Sequence, residues 1–320
     1  MPDRRLRLAF FGTPQIAQTV LNGLIAANTD DIALVVSQPD RPTGRGKKLE
    51  ATPVKALAVQ HGLPVAQPKK LRDGALAAQL RELEIDLAIV VAYGRILPVD
   101  VFEAPRHHTW NVHASLLPLL RGASPIQHAI LEGHAETGVT LMQLSEGMDE
   151  GHMLLKRSLR IEPQDTGGRL TERLAELGAA AAVGGLALAK TEGLSVEPQP
   201  HEQATYAGML QKKDGHLDFS ASTDEIDRRV RALDPWPGTF VLNHQGQPLK
   251  IRRVARVSKT VETSAKPGCI VSIDPLWIRT GDGIIAIEDV QPPGKRSMSS
   301  SDFIRGAGRH LKVGNDLSEC

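Results

Sequence analysis

Leu6-Arg7-Leu8-Ala9-Phe10-Phe11-Gly12-Thr13-Pro14 is followed by Ile16, Val20 and Leu24 at helical spacing. The stretch reads as a short apolar strand over Leu6 to Phe11, a glycine turn and a helix. Thr13 suits the helix N-cap and Pro14 its first position. Further along, Ile32 to Ser37 is a second strand, Pro53 to Gln60 a helix, Leu63-Pro64-Val65 a short strand and Asp73 to Leu83 a helix. Asp86 to Ala92 is a near-continuous apolar run, the pattern of a strand buried on both faces. This alternation defines an α/β fold, an open, mostly parallel, Rossmann-like sheet with helices on both faces. Ligands meet such sheets beyond the carboxyl ends of the strands, where Gly12, Tyr93-Gly94 and residues 111–113 fall. The fingerprint G-x-G-x-x-G is absent from the first turn, which argues against NAD.

The chemistry-bearing residues concentrate between Trp110 and Gly151. Asn111 and His113 are two apart, so on a strand end their side chains share one face. Asp149 follows His113 by 36 positions, in the glycine-flanked turn Gly147-Met148-Asp149-Glu150-Gly151. An amide and an imidazole would suit a developing oxyanion at a carbonyl carbon, with the carboxylate orienting the imidazole and favouring its charged form. Spacing alone fits equally well a strand-end histidine making one backbone hydrogen bond, with Asn111 and Asp149 as turn residues. No activated serine or cysteine nucleophile stands in the stretch, and Ser115 reads as a turn residue.

The 320 residues suffice for two domains. Lysines and arginines number 38 against 37 acids, so no global field argues for nucleic acid or membrane. Cys269 and Cys320 form neither a disulfide framework nor a zinc spacing, which fits a reducing cytoplasm. The histidines contain no H-E-x-x-H pattern, and no metal is expected. The N-terminus lacks the features of a secretory signal, and no apolar run is read as a membrane span.

Gln38-Pro39-Asp40-Arg41-Pro42-Thr43-Gly44-Arg45-Gly46-Lys47-Lys48 holds two prolines and two glycines, so it reads as a loop. Arg41, Arg45, Lys47 and Lys48 make it basic. It is either a solvated loop or an arm that meets phosphates, but not a Walker A loop. After a strand near Met153 to Leu159, Asp165 or Thr166 caps a long helix reaching about Lys190. Thr191 to Ala204 reads as a linker. Beyond Met209, Ser222-Thr223-Asp224-Glu225 is a capping-box pattern. Short strands follow at Phe240–Asn243, Leu249–Val257, Gly268–Ile273, Trp277–Arg279 and Gly283–Val290, then a helix near Ser301–Ile304. They suggest a small β-barrel of the oligonucleotide-binding type. The domain division expected is 1–190, a linker over 191–208, and 209–320. From Met209 on, 17 lysines and arginines face 14 acids, with clusters at Arg228, Arg229, Arg231 and at Lys250, Arg252, Arg253, Arg256. These are either a solvated face or a phosphate track; the scarcity of aromatics argues against a base-stacking platform.

Several of these motifs together resemble the folate-dependent formyltransferases. The residues concerned are Asn111-Val112-His113-Ala114-Ser115-Leu116-Leu117-Pro118, Arg121-Gly122, Pro125-Ile126, Gly138-Val139-Thr140, Met148-Asp149-Glu150-Gly151 and Tyr93-Gly94-Arg95-Ile96-Leu97-Pro98. The resemblance implies formyl transfer from 10-formyltetrahydrofolate, with Asn111, His113 and Asp149 catalytic. It places Ser115, Leu116, Leu117 and Pro118, with Tyr93 and Gly94, against the folate. The loop from Gln38 to Lys48, together with Asp234-Pro235-Trp236-Pro237 and Gly281-Asp282-Gly283, is similar to the branch that formylates methionyl-tRNA. That branch implies initiator methionyl-tRNA as acceptor, held by Arg41, Arg45, Lys47, Lys48, Lys250, Arg252 and Arg253. A monomer without a membrane partner is expected. Two rivals remain: a formyltransferase acting on a small amine such as an amino-sugar nucleotide, and a folate- or RNA-binding protein without turnover.

Overall fold

The computed structural model describes residues 5–43, 48–191, 193–243, 246–258 and 264–317. The chain divides into two compact units. One comprises Met1–Pro125, Glu136–Arg160 and Thr171–Ala207; the other comprises Ile126–Ala135, Ile161–Leu170 and Gly208–Cys320.

In the first unit, β1 (Arg7–Gly12) runs into α1 (Gln15–Ala27) and then β2 (Asp31–Val36). The N-cap of α1 is Pro14 and has no side-chain capping bond. Thr13, expected to cap, stands one residue before the N-cap and donates its hydroxyl to the carbonyl of Tyr93 at 2.9 Å, 80 residues away. The basic loop contains a small antiparallel ladder of β3 (Arg41–Thr43) and β4 (Lys48–Glu50). Pro42 is tolerated there because a two-stranded ladder has only edges. Next come α2 (Pro53–Gln60), β5 (Val65–Ala66), α3 (Ala75–Glu82), β6 (Leu87–Val91), α4 (Val99–Phe102), β7 (Thr109–His113) and β8 (Arg121–Gly122). After α5 (Pro125–Leu131), which lies almost wholly in the second unit, come β9 (Glu136–Gln143), β10 (Met153–Arg160), α6 (Gly167–Thr191) and β11 (Tyr206–Ala207).

The main sheet has the order β10-β9-β7-β6-β1-β2-β5. The five strands from β7 to β5 are parallel, and β9 and β10 add an antiparallel edge. Every residue of β6 is buried, which is why the run shows no polar alternation. Gly12 pairs with Val91, and Val90 with Asn111. The carboxyl ends of β1, β6 and β7 therefore finish at one level, and the turns beyond them gather along one edge.

Helix α6 is long and apolar enough, by length and composition, to cross a membrane. The sequence places a long helix from Asp165 or Thr166 to about Lys190, as found, but reads as holding no apolar run of membrane-span length. Its Leu174, Ala175, Ala179, Ala182 and Leu186 are buried. A Cβ at Gly185 would collide with the Leu141 side chain, so the helix lies close on the sheet because a glycine stands there. The segment read as a linker is also tied down in this unit: β11 pairs in parallel with β8, and Glu197 bridges Met153.

In the second unit, α7 (Thr223–Ala232) precedes β12 (Thr239–Leu242), β13 (Pro248–Arg256), β14 (Ile270–Ile273), β15 (Leu276–Arg279), β16 (Ile284–Gln291), β17 (Met298–Ser299) and α8 (Ser300–Arg305). The sheet runs β12-β13-β16-β15-β14, with β17 on β16, and these pairings are antiparallel. Strand β13 alternates buried Leu249 and Ile251 with more exposed Lys250 and Arg252, the period of a sheet with one face on a core. Ile226 and Val230 of α7 join Ile251, Ile278, Ile285, Ile287 and Phe303 in that core. The architecture is an α/β, Rossmann-like domain with a small, barrel-like antiparallel domain.

Candidate active site

Strand β7 ends with Asn111 and His113 turned toward Asp149. Asn111 Nδ2 lies 3.5 Å from Asp149 Oδ1, and His113 Nδ1 lies 3.6 Å from Asp149 Oδ2. The imidazole is 6% exposed, so its hydrogen bonds define its chemistry. Its Nε2 is 3.0 Å from the carbonyl oxygen of Leu120. A carbonyl only accepts, which assigns the proton to Nε2 and leaves Nδ1 as the nitrogen facing the carboxylate. Both contacts to Asp149 are longer than a good hydrogen bond. The three groups are gathered around a common point rather than locked onto one another.

The carbonyl that orients His113 is itself held by the loop after β7. Ser115 donates its hydroxyl to Leu119 O at 2.6 Å. Thr140 on β9 donates to Ser115 O at 2.7 Å and accepts from Leu117 N–H at 3.0 Å. Leu120 donates its N–H to Thr205 Oγ1 at 2.9 Å. Ser115, Leu117 and Pro118 are buried in this lacing, whereas Leu116 is half-buried and Leu119 exposed. Asp149 sits at φ 53°, a left-handed conformation that aspartate tolerates better than most residues. Gly122 N–H donates to its Oδ2 at 2.9 Å. Gly151, two residues on, passes so close to the Gln143 carbonyl that a Cβ there would collide with it.

Sequence reasoning missed the support beneath this turn. Arg121, 1% exposed, donates from Nε and Nη2 to Gln199 Oε1 at 3.0 and 2.8 Å. Gln199 Nε2 in turn donates to the carbonyls of Asp149 and Gly151 at 2.7 and 2.8 Å. A glutamine inside an apparently structureless, proline-flanked segment carries no local signal of such a role.

Tyr93 is buried, its ring edge-on to Phe11 at 5.6 Å. Burial pushes its phenol above the usual tyrosine value, and the Arg95 charge opposes the shift. Its carbonyl accepts from Thr13 and, at 2.8 Å, from Gln38 Nε2. Gly94, at φ 77°, lines a cavity of about 750 Å³ with Thr13, Gln38, Arg41 and Thr52. Arg41 is exposed and donates to Gln38 Oε1. Below it, Asp40 accepts from Gln67 and Lys55. These bonds, that from Gln67 foremost, hold its carboxyl below the ordinary aspartate value. The basic ladder therefore stands on an anchored base. Arg45 and Lys47 lie outside the described residues, and Lys48 begins β4.

In the second unit most of the candidate phosphate contacts have acidic or carbonyl partners. Arg252 meets Asp234 at 3.0 Å, and Arg253 meets Glu288 and Asp289 at 2.8 and 3.1 Å. Arg256 meets Asp224 and Asp227, Arg231 meets Asp227, and Arg228 donates to Leu131 O. Lys250 has no ion pair among the described residues. A cavity of about 550 Å³ is walled by Arg231, Arg252 and Arg253 but also by Asp227, Asp234, Glu288 and Asp289, so its charges largely offset. Among the described residues no cluster of three or more His, Cys, Asp or Glu side chains could hold a metal ion.

The α/β sheet thus presents an amide and an imidazole at the end of β7 and a carboxylate in the turn between β9 and β10, at the edge where ligands meet such sheets. The sequence matches the family described as Formyl transferase over residues 6–185, and Formyl transferase, C-terminal domain, over residues 209–308. The chain belongs to this formyl transferase family. It is 44% identical over 317 residues to a methionyl-tRNA formyltransferase of Alcanivorax borkumensis, covering 98% of this chain and 95% of that one. It is 43% identical over 315 residues to the methionyl-tRNA formyltransferase of Magnetococcus marinus, covering 98% of each. Among solved structures, WlaRD, a sugar 3N-formyl transferase with dTDP and 5-N-formyl-THF, has a TM-score of 0.65 at 16% identity, over 92% of this chain and 100% of that one. HypX from Aquifex aeolicus in complex with tetrahydrofolic acid has a TM-score of 0.63 at 16% identity. There the match covers 97% of this chain, which spans about half of HypX, 49%. At such identities the two structures speak for the fold alone.

Proposed function

We propose that the chain transfers the formyl group of 10-formyltetrahydrofolate to the amine of methionine on initiator methionyl-tRNA. The observation that carries this reading is identity above 40%, over nearly the whole chain, to relatives named for that reaction. The convergence of Asn111, His113 and Asp149 supports the chemistry.

In this reading the methionine nitrogen attacks the formyl carbon, the bond from that carbon to the folate nitrogen breaks, and one proton moves from the amine to the departing nitrogen. Asn111 Nδ2 donates to the formyl oxygen as it gains charge, and His113 adds a donor through Nδ1 when protonated. Asp149 balances the charge of the ring and, through water, takes up and returns the proton. The folate lies along Ser115, Leu116, Leu117 and Pro118 and near Tyr93 and Gly94. Because three of the four loop side chains face inward, the loop meets it chiefly through backbone and Leu116. Arg41, Arg45, Lys47, Lys48, Lys250, Arg252 and Arg253 meet the RNA. The catalytic part spans 1–190, the connector 191–208 and the RNA-binding part 209–320. The enzyme works as a monomer in the cytoplasm, without a membrane or a metal.

The test is formyl transfer from 10-formyltetrahydrofolate to charged initiator tRNA, to uncharged initiator tRNA and to an amino-sugar nucleotide. Transfer to the charged tRNA alone is expected. Turnover of the sugar nucleotide with an inert charged tRNA overturns the acceptor; no turnover of any substrate overturns the enzyme.

A further inference from the structure

We infer that Gln199, gripped by the buried Arg121, is a positioning residue that sets where Asp149 stands relative to His113 and Asn111. The inference rests on the formyl-transfer reading above, since it assigns a purpose to the geometry of that site.

Asp149 is held at both ends by groups joined through one arginine. Its carboxylate accepts from Gly122 N–H, the residue after Arg121, at 2.9 Å. Its backbone carbonyl accepts from Gln199 Nε2 at 2.7 Å, and the same nitrogen reaches Gly151 O at 2.8 Å. Gln199 Oε1 receives both Arg121 bonds. The guanidinium is further bounded by His201 Nδ1 at 3.2 Å and Glu150 Oε1 at 3.5 Å. Gln199 is 4% exposed. A left-handed aspartate persists only where its surroundings over-determine it. Here one amide supplies two donor contacts to the turn and one acceptor to the arginine.

The requirement is specific to an amide of this length. A glutamate would keep Arg121 paired but turn a carboxylate oxygen toward two carbonyls. An asparagine would keep both chemistries but fall short by one methylene. In either case the turn shifts, and the Nδ1–carboxylate separation shifts with it. Placement errors near an ångström in a reacting site cost about a hundredfold in rate.

Gln199→Glu should lower kcat by about a hundredfold with both KM values within about twofold of wild type. Its melting temperature should fall while the protein stays folded, because two buried donor bonds are lost. In ¹⁵N spectra of the histidine rings, the His113 Nδ1 resonance should move toward its position in Asp149→Asn. A near-wild-type kcat with an unmoved His113 resonance overturns the inference. If Gln199→Glu does not fold, Gln199→Asn undergoes the same measurements and the same two outcomes decide. A wild-type protein inert toward methionyl-tRNA, whose His113 resonance still moves on changing Gln199, would sink the functional reading while supporting the positioning role.

Discussion

A strand end puts residues two apart on one face, and that rule alone brings Asn111 and His113 together. What it leaves open is the state of the ring. The Leu120 carbonyl places a proton on Nε2, so the nitrogen facing Asp149 is Nδ1. Asn111→Ala removes a donor without touching that lock, and steady-state kinetics should show kcat lower by about 100- to 1000-fold. A kcat near wild type would remove the amide from oxyanion duty. Asp149→Asn leaves an amide oxygen to accept from Gly122 N–H, and asparagine tolerates φ 53°. The variant should therefore melt like wild type yet lose turnover, because the proposed reaction needs a carboxylate there to take up and return the proton. Retained activity in a folded Asp149→Asn would exclude the carboxylate from the chemistry.

Among the elements, α7 shows how much of a helix start is local. Ser222 accepts from Glu225 N–H at 3.2 Å, and Glu225 accepts from Ser222 N–H at 2.9 Å, the reciprocal pair that the spacing of the two residues announces. Ser222→Ala should cost about 1 kcal/mol in denaturant unfolding. The bonds from Ser222 hold the Glu225 carboxyl below its ordinary value of 4.5. A depressed carboxyl stabilises the fold above its unfolded pKa and loses that contribution as pH falls through the folded one. The stability difference between wild type and Glu225→Gln should accordingly be full at neutral pH and fade in acid; a difference that persists undiminished in acid would assign it to something other than the charge. Helix α1 makes the opposite case. Thr13 has the right identity for a cap and caps nothing, since the helix starts one residue too late for it and its hydroxyl donates to Tyr93 O.

Across the molecule, charge is nearly balanced, and the arginines of the second unit are largely committed to acids. In the proposed reading, electrostatic contact with RNA then falls to groups outside these pairs, Lys250 among them. The KM for tRNA should rise with ionic strength while that for the folate stays level. Titration of tRNA at several salt concentrations should show that Lys250→Ala lowers the log–log slope by about 1. Arg252→Ala, which first frees Asp234, should lower tRNA affinity further because a carboxylate is uncovered. A salt-independent KM for tRNA would argue against an electrostatic grip.

Periodicity and turn chemistry were enough to read the alternating strands and helices, the strand pattern of the second unit and the capping box, because each depends on neighbours a few residues apart. The pairing of Asn111 with His113 was legible for the same reason. The ladder inside the basic loop, the partner of Thr13, the neutralised arginines and the Arg121–Gln199 support were not. Gln199 and the Asp149 carbonyl are 50 residues apart in the chain, and Arg121 and Gln199 are 78 apart. A short window of sequence carries no information about which distant donor will reach a given acceptor. Those contacts exist because burial removes water from the polar groups, and each must then find a partner wherever the packed chain has brought one.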